Sequence, residues 1–386
     1  MNPVRPVFWT VAAALGFCLA LLPAEADSGF LSKPGGDSAL ATSSWTLALG
    51  GDVMLNGVSP SRDPFLAVGA LLRGADLTVV NLEIPLTQAA TRTTRKSAEA
   101  IARRQQYVLK AHPEHAKWLA KAGIDAVTLG NNHALDFGLK GLDEMRDLLR
   151  EQGIRWCGAG DNRAKASAPA LLTIPGGKLA VLSFLAFRTK GGLWACTPAG
   201  PSTSGVAVLD FGGTIDSSAR TRIGAIVSGA RKSAGFVLVA LHWGDERQPV
   251  PTAYQVALGR AFVDAGADAV VGHHPHVLQG AELYRGKPIL YSLGNLVSSR
   301  PGETAIAKLS FSGSSLAGAF AAPCRISGGA VSPHSGRAAS AGLDRFRELG
   351  KRLLARYPNP NSEPLAWTLW SAKGAVGRNS SRASPN

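Results

Sequence analysis

Ala265-Gly266-Ala267-Asp268-Ala269-Val270-Val271-Gly272-His273-His274-Pro275-His276 runs from the end of an amphipathic stretch, through a short apolar segment, into a cluster of imidazoles. The same order occurs earlier, where Ala122-Gly123-Ile124-Asp125-Ala126-Val127 leads to Gly130-Asn131-Asn132-His133. Each reads as helix, strand and then polar cluster, and open α/β sheets carry their sites at the carboxyl ends of their strands. Working outward, short apolar runs predict strands at Thr46–Leu49, Leu77–Asn81, Ala126–Leu129, Ile154–Trp156, Leu179–Leu185, Phe236–Leu241, Ala269–Val271 and Pro288–Ser292. Amphipathic stretches predict helices at Pro64–Arg73, Pro113–Ala122, Gly141–Gln152, Ser217–Ser233, Ala253–Ala265 and Gly342–Tyr357. The alternation defines a layered α/β protein. Only Ser310–Ser340, dominated by Ser, Gly and Ala, gives a weak strand signal.

With 386 residues, 45% of them hydrophobic and 18% charged, the chain buries a substantial core and is not disordered. Residues 1–26 have the charged, apolar and Ala-x-Ala order of a secretory signal peptide, which predicts an exported, periplasmic or envelope protein. The rival reading is a retained anchor, but the apolar run from Val7 to Pro23 falls short of the roughly 20 residues of a membrane span. The remaining expectations are a linker over 27–44, a core domain over 45–330, a helical extension over 331–371 and a disordered tail over 372–386. The segment 1–26 holds one charge of each sign, Arg5 and Glu25, so cleavage leaves the formal charge at +14. That charge favours acidic partners such as anionic polymers. No nucleic-acid motif accompanies it. Of the four cysteines only Cys157, Cys196 and Cys324 remain after cleavage, too few for a disulfide scaffold.

Unusual polar residues gather at strand ends: Asp52 after Gly51, Asn81 and Glu83, Asn131-Asn132-His133, His242 before Trp243, and His274-Pro275-His276. Carboxylate, amide and imidazole together form a mixed O/N set suited to one or two divalent Mn, Fe or Zn ions. Each residue alone has a plain structural explanation: Asp52 as a cap, Asn131 and Asn132 as turn formers, His242 as a packed core histidine. Five such coincidences at five strand ends favour a metal site.

In order, Gly51-Asp52-Val53-Met54-Leu55, Asn81-Leu82-Glu83-Ile84-Pro85, Asn131-Asn132-His133-Ala134-Leu135-Asp136, His242-Trp243-Gly244-Asp245-Glu246, Gly272-His273-His274-Pro275-His276 and Tyr291-Ser292-Leu293-Gly294-Asn295 resemble the motif series of the CapA family of poly-γ-glutamate capsule proteins. The resemblance runs from about Thr46 to Val297. It implies a calcineurin-like metallophosphatase sandwich, with helices flanking the sheets and metal ligands on loops. Carried over residue by residue, it makes Asp52, Glu83, Asn132, His242, His274 and His276 metal ligands and His133 a general acid. Asn81, Asn131, Asp136, Glu246, His273, Gln279 and Asn295 become supporting residues. Met54 stands where the superfamily's first His would be, and Glu83 takes the place of the bridging carboxylate.

Two functions follow. One is a metal-dependent hydrolase of a phosphoester or of the γ-glutamyl polymer. The other is a non-catalytic component that binds an acidic polymer beside membrane synthase subunits. Arg92, Arg95, Lys96, Arg103, Arg104 and Lys110 form the basic cluster that a polyanion would meet, and as a bare charge run they also read as a solvated face.

Overall fold

The computed structural model describes residues 43–187 and 196–371. The expected signal peptide, nearly all of the linker and the expected tail therefore lie outside the described residues. The strands are β1 (Ser44–Val53), β2 (Leu77–Leu82), β3 (Ala126–Thr128), β4 (Arg155–Cys157), β5 (Ala159–Gly160), β6 (Ala170–Ile174), β7 (Gly177–Leu185), β8 (Gly205–Val206) and β9 (Phe236–His242). They continue as β10 (Ala269–His273), β11 (Ala281–Tyr284), β12 (Lys287–Leu290), β13 (Asn295–Val297), β14 (Gly302–Ser312), β15 (Ser315–Ser327), β16 (Ala330–Pro333), β17 (Ser362–Pro364) and β18 (Trp367–Leu369). The described helices are α1 (Gly69–Arg73), α2 (Ala98–Ala102), α3 (His115–Ala122), α4 (Gly138–Glu151), α5 (Arg163–Ser167), α6 (Ser217–Arg231), α7 (Ala253–Asp264) and α8 (Gly336–Arg356).

Two large sheets stack face to face. The first has the order β16-β15-β14-β1-β2-β3-β4, with β13 added beside β1 and β18 beside β15; the second has the order β17-β11-β12-β10-β9-β7-β6. β1 to β4 run parallel, as do β7, β9, β10 and β12, while β14 to β16 form an antiparallel flank. Parallel strands covered on both faces must be apolar almost throughout, and β9 (FVLVALH) is buried at every position.

Side-chain alternation then divides the core. Leu47, Leu49, Val79, Leu238 and Val271 meet between the sheets, where Trp45 packs at 4.9 Å against both Phe236 and Phe311. The opposite faces receive helices: Leu71, Leu119, Leu142 and Met145 cover the first sheet, and Ile223, Val227 and Phe262 cover the second. The result is the helix–sheet–sheet–helix sandwich that the sequence implied. Burying these side chains removes apolar area from water at about 25 cal/mol per Å², which makes this packing the main source of stability.

The Ser310–Ser340 region differs from its weak signal. β14 and β15 are the longest strands described and pair from Gly302↔Ile326 to Ser312↔Ser315. Ala305, Ala307, Ala319, Ala321 and Cys324 fill their buried positions. Small residues with poor β propensity hide a strand whose stability comes from its neighbours. α8 starts six residues earlier than expected and buries Leu343, Phe346 and Leu349 at the inter-sheet core. α7 starts where expected because Thr252 and Gln255 form a capping box. Among the described residues, no helix is long and apolar enough to cross a membrane.

Candidate metal centre

Strand register brings the polar residues together. In the first sheet Asp52 pairs with Asn81 of β2 and with Asn295 of β13. In the second, His273 pairs with His242. The facing edges approach because glycines leave room: a Cβ on Gly51 would lie 1.8 Å from the Gly294 carbonyl oxygen, and one on Gly272 would lie 2.0 Å from that of Tyr291.

Asp52 is fully buried. Its Oδ1 accepts from Asn81 Nδ2 at 2.9 Å and lies 3.2 Å from His273 Nδ1, while its Oδ2 accepts the His274 backbone N–H at 3.2 Å and lies 3.2 Å from His276 Nδ1. Burial pushes this carboxyl up, but the hydrogen bonds and charge of His273 and His276 outweigh it and hold Asp52 well below the usual range. Glu83 is the opposite case. It is fully buried, and burial, with Asp52 and Glu246 nearby, raises its pKa well above normal against the pull of His276.

His242 Nε2 lies 2.8 Å from Asn132 Oδ1 and 3.3 Å from Glu83 Oε1. His274, at φ 94°, stacks on Phe187 at 4.1 Å and stands 4.9 Å from the His242 ring. His276, at φ 56°, donates from Nδ1 to Asn295 Oδ1 at 2.8 Å, with Nε2 3.8 Å from Glu83 Oε1. Two non-glycine residues in left-handed backbone, with proline between them, bend the segment so that both imidazoles face inward; such strain gathers at functional sites. Burial and the charge of His276 depress His274 to about 3, and burial followed by the charges of His274, His273 and His276 depresses His242 well below normal. His276 goes the other way: against the cost of burial, Glu83 and Asp52 raise it to about 10.

Two overlapping sets hold ligand atoms within 4.8 Å of one another, Glu83–His242–His274 and Asp52–Glu83–His276, with Glu83 common to both. A third set, Glu246–His274–His276, brings in an exposed acid. The fit to a cation is tested by unmet demand. Both Glu83 oxygens and His274 Nδ1 are buried without a hydrogen-bond partner. Buried polar atoms are almost always paired, and three orphans in one cluster of carboxylate and imidazole fit one or two divalent ions.

The supporting residues divide. Asn81 joins the strands, donating to Asp52 and accepting from Thr128 Oγ1 and Asn131 Nδ2, each at 3.1 Å. Asn131 Oδ1 accepts the backbone N–H groups of His133 and Ala134, which shapes the turn that presents Asn132. Asn295 holds His276. Gln279 stands apart: it links Gln255 to the Gln248 carbonyl and steadies the loop after His242.

His133 is 6% exposed, with Nδ1 2.6 Å from Asp136 Oδ2; burial and then the Lys96 charge lower its pKa. Lys96 departs from its expected place in the surface cluster. It is 4% exposed, with Nζ 2.5 Å from Asp136 Oδ1, 2.8 Å from the Tyr107 carbonyl and 3.1 Å from His133 Nδ1. Its role was invisible in the sequence because it lies 37 residues from His133. Arg92, Arg95, Arg103, Arg104 and Lys110 are exposed, Arg103 pairing with Glu99 at 2.7 Å and Lys110 lying over the Phe137 ring. Cys157, Cys196 and Cys324 are buried free thiols.

Fold and site define a layered α/β protein with a metal-ligand cluster of carboxylates, amide and imidazoles between the carboxyl edges of its sheets. The family model described as bacterial capsule synthesis protein PGA_cap matches residues 46–300, and the chain belongs to that family. It is 31% identical over 233 residues to the capsule biosynthesis protein CapA of Bacillus anthracis, covering 60% of this chain and 53% of the relative. It is 32% identical over 234 residues to the PGA biosynthesis protein CapA of Bacillus subtilis (strain 168), covering 60% and 56%. The chain thus spans about half the length of these curated relatives. Among solved structures, a phosphatase from Mycoplasma pneumoniae aligns with TM-score 0.44 and 11% identity over 74% of this chain and 94% of that one.

Proposed function

We propose that the protein is an exported, metal-dependent hydrolase of the bacterial envelope that acts on an anionic capsule-type polymer of the poly-γ-glutamate kind. The observation that supports this reading best is Glu83: a fully buried carboxylate with neither oxygen hydrogen-bonded, within 4 Å of His242 and His276. Such a group is costly unless a cation meets it. Bound divalent ions would acidify a water and stabilise charge developing on the scissile group. Asp52, Glu83, Asn132, His242, His274 and His276 would hold them. Asn295 fixes the His276 tautomer by taking its Nδ1–H, which leaves Nε2 as the ligand nitrogen. Asp136 takes Nδ1–H of His133 in the same way, so Nε2 is the nitrogen that exchanges a proton with the leaving group.

Metal analysis of the purified chain beside a His242→Ala/His274→Ala/His276→Ala variant tests the site, and a screen of phosphoesters and poly-γ-glutamate tests the activity. Metal should fall from one or two ions to none in the variant. Equal metal content in both would remove the assignment.

The exposed Arg92, Arg95, Arg103, Arg104 and Lys110 support a second reading, in which the protein binds the polymer for synthesis or transport without cutting it. Polymer affinity would then fall with salt and with Arg103→Ala/Arg104→Ala, and wild type would show no turnover. Export rests on residues 1–26 and predicts a mature chain beginning near Asp27, which N-terminal sequencing of the exported form would read directly.

A further inference from the structure

A cavity of about 240 Å³ opens beside the metal centre, and His276 and Asn295 form part of its wall. Arg300 and Arg345 line it as well. Both are exposed, and among the described residues neither guanidinium has a carboxylate partner within ion-pair distance. The cavity's carboxylate, Glu303, is already engaged, with Oε2 2.7 Å from His334 Nε2. The two arginines come from distant parts of the chain, one just before β14 and the other on α8, and only the fold brings them to one opening. A guanidinium offers a planar fork matched to a carboxylate or phosphate. At about 240 Å³ the cavity is smaller than the roughly 300–1,000 Å³ that encloses a whole small ligand, so it suits one unit of something longer.

We propose that Arg300 and Arg345 form an anion subsite that grips a carboxylate of the polymer one or more units away from the metal centre. The subsite rests on the reading of an anionic polymer as ligand. It would set the direction and register in which the chain crosses His276, and it would bind the same carboxylate whether or not a metal is present, because neither arginine is a ligand. Glu303 opposes it by charge, so Glu303→Gln should tighten binding.

The test is equilibrium binding of a γ-linked glutamate pentamer to the full chain, with and without chelator. Charge-assisted hydrogen bonds of this kind predict that Arg300→Ala and Arg345→Ala each weaken binding about 10-fold, and the pair more. Arg345→Lys should recover part of the affinity. As both residues are exposed, melting temperatures should stay at the wild-type value. Losses no greater than those of Arg103→Ala/Arg104→Ala would reduce the effect to general surface charge and overturn the subsite. Inorganic phosphate that binds as tightly, with the same arginine dependence, would also overturn it in favour of a free-phosphate site. Arginine-dependent pentamer binding by a protein without turnover upholds the subsite and removes the hydrolase reading. Turnover whose KM ignores both arginines does the reverse.

Discussion

Asp136 shows how much one buried ion can decide. Its carboxylate is 1% exposed, yet Lys96, His133 and the Leu109 backbone N–H all reach it. Removing one partner of such a pair strands the other charge. Lys96→Met is therefore expected to destabilise the fold by about 3–5 kcal/mol, and adding Asp136→Leu should restore part of that loss. Chemical denaturation of the two variants decides it: a Lys96→Met protein as stable as wild type would mean that the pair carries no such weight. His133→Asn separates chemistry from structure at the same spot. It keeps a polar side chain and should leave metal content unchanged, while turnover falls about 10²–10⁴-fold, the usual loss of a general acid. The residues that gather in the candidate site were legible in sequence because acids, amides and imidazoles follow apolar runs at strand ends. Lys96 was not, since composition cannot tell which member of a basic run turns inward to meet a carboxylate.

At the scale of elements, the parallel strands were readable and the antiparallel flank was not, for one physical reason. β7 from Leu179 and β9 are covered on both faces and so appear as nearly continuous apolar runs, whereas β15 buries Ala319, Ala321, Ala322 and Cys324, whose small side chains leave little pattern. The helices were placed by their apolar faces, and a cap readable in sequence, such as the Thr252–Gln255 box, fixed the start of α7 where expected. The close strand contacts were only hinted at by glycine. Gly51→Ala should be among the most damaging small substitutions in the protein, because its Cβ would meet the Gly294 backbone carbonyl, just ahead of β13, rather than a side chain that can swing away. Overpacking of this kind typically costs about 1–3 kcal/mol, and here it would also displace Asp52 and reduce metal stoichiometry. A Gly51→Ala protein with wild-type melting temperature and full metal content would show that the two strands can separate without affecting the site.

For the whole molecule, the histidines couple the site to stability through protons. In the metal-free chain, burial keeps His115, His133, His242 and His274 neutral below their ordinary range, His274 to about 3. Unfolded, all four titrate near 6.5. Below that pH the unfolded chain takes up protons that the folded chain refuses, so stability must fall as pH drops from about 6.5 toward 3. Asp52 adds to the same limb, since its lowered pKa gives stability that is lost as it protonates. Two groups run against them. Glu83, with its raised pKa, gives stability that is present in acid and lost as pH rises. His276, raised to about 10, gives stability that is full below 6.5 and lost as pH climbs through 10. Four imidazoles and Asp52 outweigh Glu83 on the acid side, while His276 governs the alkaline side. Melting of the chelated protein should therefore weaken at both ends, with the steeper fall in acid, and His274→Ala should flatten the acid limb. Restoring the metal should raise stability most near neutrality, where ligands are deprotonated, and the gain should shrink as acid competes for the imidazoles. An acid limb that keeps its slope in the His274→Ala protein would place the proton-sensitive groups elsewhere in the molecule.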